Sequence, residues 1–113
     1  MSISQSTRNQ GVLVVEGEFY IAKDLVIALL AEGLEVVGPA YSVSEALRQV
    51  RDGACIRGAI LDINVKDQLA YAVAYELMSR GIPLVMTTGY FEKPFDPVKL
   101  VAKLREKMAL KQS

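Results

Sequence analysis

Apolar residues in this chain fall into short unbroken runs separated by longer stretches with helical spacing. Val12-Leu13-Val14-Val15 is wholly apolar and mostly β-branched, which suits a strand buried on both faces of a parallel sheet. Phe19 to Glu32 follows, with apolar residues at Ile21, Leu25 and Leu29 and at Ala22, Val26 and Leu30. That spacing predicts a helix, and Gly33 stands where a helix C-cap favours glycine. Glu35-Val36-Val37-Gly38-Pro39 reads as a second, shorter strand. Ser42-Val43-Ser44-Glu45 has the form of a capping box, opening a helix through Ala46, Leu47, Val50 and Arg51. Gly58-Ala59-Ile60-Leu61 is the third strand, and Asp62 to Gln68 a loop. Leu69 to Arg80 carries Ala70, Val73, Ala74, Leu77 and Met78, a further amphipathic helix ending at Gly81. Ile82-Pro83 marks a boundary, because a residue before proline leaves the helical region. Leu84-Val85-Met86 is the fourth strand. Asp96 stands as N-cap ahead of Pro97, and the final helix runs to about Lys111 with Val98, Val101, Leu104 and Met108 on one face. Residues 1–10 are polar and read as a disordered tail, leaving 11–113 as one domain.

Four alternations of strand and helix imply right-handed crossovers and an α/β, doubly wound parallel sheet with helices on both faces. Composition narrows the function. Thirteen basic residues balance thirteen acidic ones, against a general nucleic-acid binder. No His is present, which removes His-based catalysis and the commonest metal ligand. A single Cys55 excludes an intrachain disulfide, fits a reducing cytoplasm and reads as an inert thiol. No apolar run approaches the ~18 residues of a membrane span, and the start lacks a secretory signal. Only Gln112 and Ser113 follow the final helix, so no output domain is expected.

In such sheets chemistry sits at the carboxyl ends of the strands. There the sequence places Glu16, Gly17 and Glu18 after strand one, Asp62 after strand three, and Thr87, Thr88 and then Lys93 after strand four. Clustered carboxylates repel one another unless a cation joins them, and oxygen ligands favour Mg²⁺. An Asp beside such a cation can attack a phosphoryl group and form an aspartyl-phosphate. The new charge would then take a hydroxyl donor and an ammonium, here Thr88 and Lys93. Plainer readings stand beside these. Asp62 could simply begin a turn, and Glu16 and Glu18 could be acids favoured by a helix dipole. Thr88 could be a strand-end residue and Lys93 a solvated one. Tyr90, Phe91 and Phe95 suit either a local core patch or an exposed binding surface.

The segments Val12 to Glu18 (VLVVEGE), Leu61-Asp62-Ile63-Asn64, Met86 to Tyr90 (MTTGY) and Lys93-Pro94-Phe95 together resemble the CheY-like receiver domains of two-component response regulators. The last two resemble most the subgroup with a Thr-Gly-Tyr signature. The resemblance covers roughly Gly11 to Leu110. It implies a flavodoxin-like sheet of five parallel strands and phosphate transfer from a sensor histidine kinase. By motif it makes Asp62 the phosphoacceptor and Glu16 one of the acidic metal-site pair. It makes the backbone carbonyl of Asn64 a metal ligand, Thr88 the switch hydroxyl and Lys93 the phosphate-pairing lysine.

Two departures shape the expectation. The family's second adjacent carboxylate is replaced by Gly17, so Mg²⁺ binding should be weak, with Glu18 as a substitute ligand one residue on. Restoring the carboxylate with Gly17→Asp is expected to tighten Mg²⁺. Only five residues lead from Thr88 to Lys93, spanning at most ~17 Å, whereas a parallel crossover needs a dozen or more. The sheet should therefore lack the usual fourth helix and fifth strand, leaving strand four as an edge. An open edge and an apolar final helix predict a homodimer in which segment 89–113 is exchanged, against a competing monomer whose helix folds back. The functional expectation is a non-enzymatic, cytoplasmic, single-domain response regulator phosphorylated on Asp62. Its alternative is a degenerate receiver that binds proteins without phosphotransfer. A flavin- or nucleotide-binding α/β protein is disfavoured, since Glu-Gly-Glu would repel a phosphate and no glycine-rich cradle is present.

Overall fold

The computed structural model describes residues 11–52, 55–87 and 96–112. The elements run β1 (Gly11–Val15), α1 (Phe19–Ala31), β2 (Val36–Ala40), α2 (Val43–Arg51), β3 (Ile56–Asp62), β4 (Asn64–Val65), β5 (Gln68–Leu69), α3 (Tyr71–Ser79), β6 (Leu84–Thr87) and α4 (Pro97–Gln112). β2, β1, β3 and β6 form one sheet in that order, and every pairing in it is parallel. This is the α/β, CheY-like architecture, shortened: among the described residues the sheet has four strands. The predicted loop from Asp62 to Gln68 holds a small antiparallel hairpin instead, β4 with β5.

Strand alternation divides the core in two, because successive side chains point to opposite faces. Leu13, Val15, Ala59 and Leu61 pack under α2 and α3 with Ala46, Val50, Val73, Ala74 and Leu77. Val12, Val14, Ile60 and Val85 pack under α1 and α4 with Leu25, Ala28, Leu29, Val101, Leu104 and Met108.

Local chemistry sets the helix ends. The Ser42 hydroxyl accepts from the Glu45 N–H at 3.2 Å, and the Glu45 carboxylate accepts from the Tyr41 N–H at 2.7 Å. This is the predicted capping box with its return bond displaced one residue outward. Asp96 accepts from the N–H groups of Val98 and Lys99 at 3.0 and 3.3 Å, as an N-cap before Pro97 should. Gly33 and Gly81 adopt φ of 77° and 72°, each closing its helix with a pair of reversed bonds onto the last turn.

Three predicted core positions are exposed: Leu30 at 58%, Met78 at 63% and Val98 at 65%. Val98 lies roughly 90° around α4 from the centre of the stripe Val101, Leu104 and Met108, so it points away from the sheet. α4 itself lies on its own chain's sheet, the folded-back arrangement that competes with exchange. Its approach is close: a Cβ on Gly58 would stand 2.8 Å from the Met108 sulfur and 3.3 Å from Leu104 Cδ1. The tail 1–10 and residues 88–95, with Thr88, Tyr90, Phe91, Lys93 and Phe95, lie outside the described residues. No helix among those described is long and apolar enough to cross a membrane.

Candidate functional site

β1 and β3 are neighbours in the sheet, so the residues at their carboxyl ends meet. Val15 pairs with Leu61, which brings Glu16 and Asp62 to one rim. Both are buried, Glu16 at 6% exposure and Asp62 at 5%, and they are the only buried charged side chains among the described residues. Backbone groups orient each. Glu16 Oε2 accepts from the Glu18 N–H at 3.1 Å, and Asp62 Oδ1 accepts from the Asn64 N–H at 3.1 Å. The Glu16 N–H donates to the Ala40 carbonyl at 3.0 Å, tying the end of β1 to β2.

Burial disfavours the charged form of both groups. It raises the Glu16 carboxyl from 4.5 to about 7, against the Glu18 N–H and with the help of the neighbouring Asp62 charge. Burial also raises Asp62, while the hydrogen bonds from Asn64 and Glu16 act downward. A proton on Glu16 donated to Asp62 satisfies both shifts.

The remaining predicted residues divide. Glu18 is exposed at the rim, and its backbone N–H donates to Glu16. Gly17 faces the β4–β5 turn: a Cβ there would meet Lys66 Cγ at 3.0 Å, the Lys66 nitrogen at 3.3 Å and Val65 Cγ1 at 3.4 Å. Asn64 stands in β4 beside Asp62, and its Oδ1 is buried without a hydrogen-bond partner among the described residues. Thr88 and Lys93 fall outside the described residues, but Thr87 pairs with Asp62, and its carbonyl accepts from the Ile63 N–H at 2.9 Å. Sequence reasoning missed Lys66 and Asp67, whose φ values of 50° and 67° turn the hairpin over Gly17. Only the Lys-Asp pair between two short polar-apolar segments hinted at a turn there.

The donor set tests whether a metal fits. Two buried carboxylates, a backbone carbonyl and an unsatisfied amide oxygen are hard oxygen donors of the kind Mg²⁺ takes. They fall short of a cluster: among the described residues, no group of three or more acidic or thiol side chains could enclose an ion. The site fits a cation that keeps much of its water.

No family model matches the sequence, and no curated protein matches it significantly. Solved structures do. A CheY-like response regulator receiver domain protein from Methanospirillum hungatei JF-1 superimposes with a TM-score of 0.78 at 23% identity, over 91% of this chain and 96% of that one. The solution structure of SdrG from Sphingomonas melonis Fr1 gives a TM-score of 0.72 at 31% identity, over 88% and 96% of the two chains. The BeF3-activated conformation of SdrG from Pseudomonas melonis Fr1 gives 0.65 at 33% identity, over 90% and 96%. This strand order, these acids at the ends of β1 and β3, and these near full-length matches place the chain in the family of CheY-like response regulator receiver domains.

Proposed function

We propose that this receiver takes a phosphoryl group onto Asp62 from a sensor histidine kinase in two-component signalling. The observation that carries the reading is Asp62 itself, buried at the end of a central strand beside a protonatable Glu16. Asn64 holds Oδ1 of Asp62, which leaves Oδ2 as the attacking atom. An O–P bond forms to Oδ2 as the N–P bond of the donor phosphohistidine breaks, and the imidazole leaves with the electron pair. Attack requires Asp62 as the anion, and holding Mg²⁺ requires Glu16 to give up the proton that burial favours on it. Glu16, Asp62 and the Asn64 carbonyl would hold Mg²⁺, which when bound neutralises charge on the transferring group. Thr88, next along the chain from Thr87, would donate its hydroxyl to the phosphoryl group, and Lys93 would pair with it.

Intact mass after treatment with acetyl phosphate and Mg²⁺ tests this. The natural chain should gain one phosphoryl group that is labile to acid and to base, as an acyl phosphate is, and Asp62→Asn should gain none. A gain that persists in Asp62→Asn rejects the assignment. Thr88→Ala should keep the label and lose any partner response; loss of the label would make Thr88 part of the chemistry. Gly17 favours a second reading, a receiver that binds partners without phosphotransfer, and an unlabelled natural chain would support it.

The same proposal makes the chain a non-enzymatic cytoplasmic protein that associates as a homodimer. α4 covers its face in the folded-back arrangement, so among the described residues one surface open to a second copy is the outer edge of β6, where Met86 is 46% exposed. Sedimentation equilibrium at micromolar concentration should show the dimer; a monomer throughout excludes it.

A further inference from the structure

Position 17 is where a third acid would most simply join Glu16 and Asp62, and the structure shows what stands there instead. The β4–β5 turn leans over Gly17, with the Lys66 stem and backbone nitrogen within 3.0–3.3 Å of a Cβ placed on that glycine. We propose that Gly17 and the Val65–Lys66 turn form one packed unit, so that residue 66, together with residue 17, sets how well the site takes a divalent cation. This deepens the reading of Glu16 and Asp62 as the metal and phosphoryl site, and rests on it.

The turn cannot simply retreat. Val65 is 1% exposed and belongs to the core under α2 and α3. The Asn64 N–H is bonded to Asp62, and the Ala70 N–H closes the hairpin onto the Ile63 carbonyl at 2.8 Å. Lys66 and Asp67 carry the positive φ values on which the two-residue turn depends. A side chain at 17 therefore pushes against backbone that is fixed on both sides. Lys66 meets position 17 with Cγ, near the root of its side chain, so the stem clears that space only by leaving its rotamer. A carboxylate placed at 17 is crowded out of line with Glu16 and Asp62 until that stem is removed. Glycine at 66 removes the stem and adopts the positive φ without strain.

The test is Mg²⁺ affinity by calorimetry, using the metal alone, on the full chain and four variants. Gly17→Asp by itself, expected from the sequence to tighten Mg²⁺, should instead bind it within about twofold of the natural chain because of the Lys66 contact. Gly17→Asp with Lys66→Gly should bind at least tenfold tighter. Gly17→Asp with Lys66→Met keeps the stem and loses the charge, and should resemble Gly17→Asp alone. Lys66→Gly alone reports any gain from removing the ammonium. The proposal is overturned if Gly17→Asp alone binds as tightly as Gly17→Asp with Lys66→Gly. It is equally overturned if the double variant carrying Lys66→Met matches the one carrying Lys66→Gly. A second readout needs no metal: Gly17→Ala should lower Tm more in the natural background than in the Lys66→Gly background. Equal losses in both overturn the packed unit. If no variant binds Mg²⁺ the proposal falls, and labelling of Asp62 in the natural chain then shows whether the receiver reading falls with it.

Discussion

The inner strands and the outer strand of this sheet follow different rules. All five residues of β1 are buried, as are the last five of β3, whereas β6 has one buried residue, Val85. Leu61 and Met86 are partners on one rung of the ladder, yet Leu61 is fully buried and Met86 is 46% exposed. The site follows the same division. Its two buried acids stand on the inner strands, and β6 contributes a backbone carbonyl from Thr87. Polar groups can be held in unusual protonation states only where packing excludes water, and packing is densest where strands have neighbours on both sides.

The largest expected contrast is along that rung. Leu61→Ala should destabilise the chain by about 2–5 kcal/mol through the cavity it leaves. Met86→Ala should stay within about 0.5 kcal/mol. Denaturant titration of both variants breaks the comparison if the two losses are similar.

The second contrast is in pH. Glu16 titrates at about 7 in the folded chain against 4.5 unfolded. Its raised value adds stability that is complete below about 4.5 and is lost as pH rises through about 7. Asp62, also raised, contributes with the same sign from its ordinary carboxylate range upward. Without metal, unfolding free energy should fall by about 2–3 kcal/mol between pH 5 and pH 8. Glu16→Gln keeps a donor toward Asp62 with nothing to titrate, and should flatten most of that slope. An unchanged slope would remove the shared proton.

Gly58→Ala comes next. The new methyl meets Met108 and Leu104, and about 1–3 kcal/mol should be lost by overpacking. Met108→Ala in the same chain should recover part of it by making room. Full additivity of the two losses would mean α4 does not lie on Gly58 in solution.

The smallest effect belongs to a helix start far from the inner strands. Asp96→Ala removes the acceptor for two N–H groups of α4 and should lower stability by about 1 kcal/mol, read as a shift in denaturant midpoint at constant slope.

What the sequence made legible follows the same line. β1 and the core of β3 were readable because strands buried on both faces have no polar alternation to confuse them. The caps at Ser42 and Asp96 were readable because capping needs few atoms in a fixed order. Asp62 and Glu16 were visible as strand-end acids, but their shared proton was not, since it depends on burial from both neighbouring strands. The β4–β5 hairpin was missed because two-residue strands carry too little pattern, and its Lys-Asp turn lacks the glycine that usually marks positive φ. Glu18 is named as a substitute ligand from its place one residue on and its length; its backbone N–H bond to Glu16 carries no such signal in the sequence. Leu30, Met78 and Val98 show that apolar residues at the margin of a stripe are not settled by spacing.

α4 seals the face of β3 and β6 around Ile60 and Val85, and Ile60 is made 37 residues before α4 begins at Pro97. Until residues 97–112 leave the ribosome, that side of the nascent sheet has only α1 to cover it. Such a gap between making a surface and covering it exposes a chain to chaperones and to aggregation. Release of a chain stalled at residue 96 should therefore yield a species that binds a hydrophobic dye, and adding the segment 97–113 as a peptide should quench it.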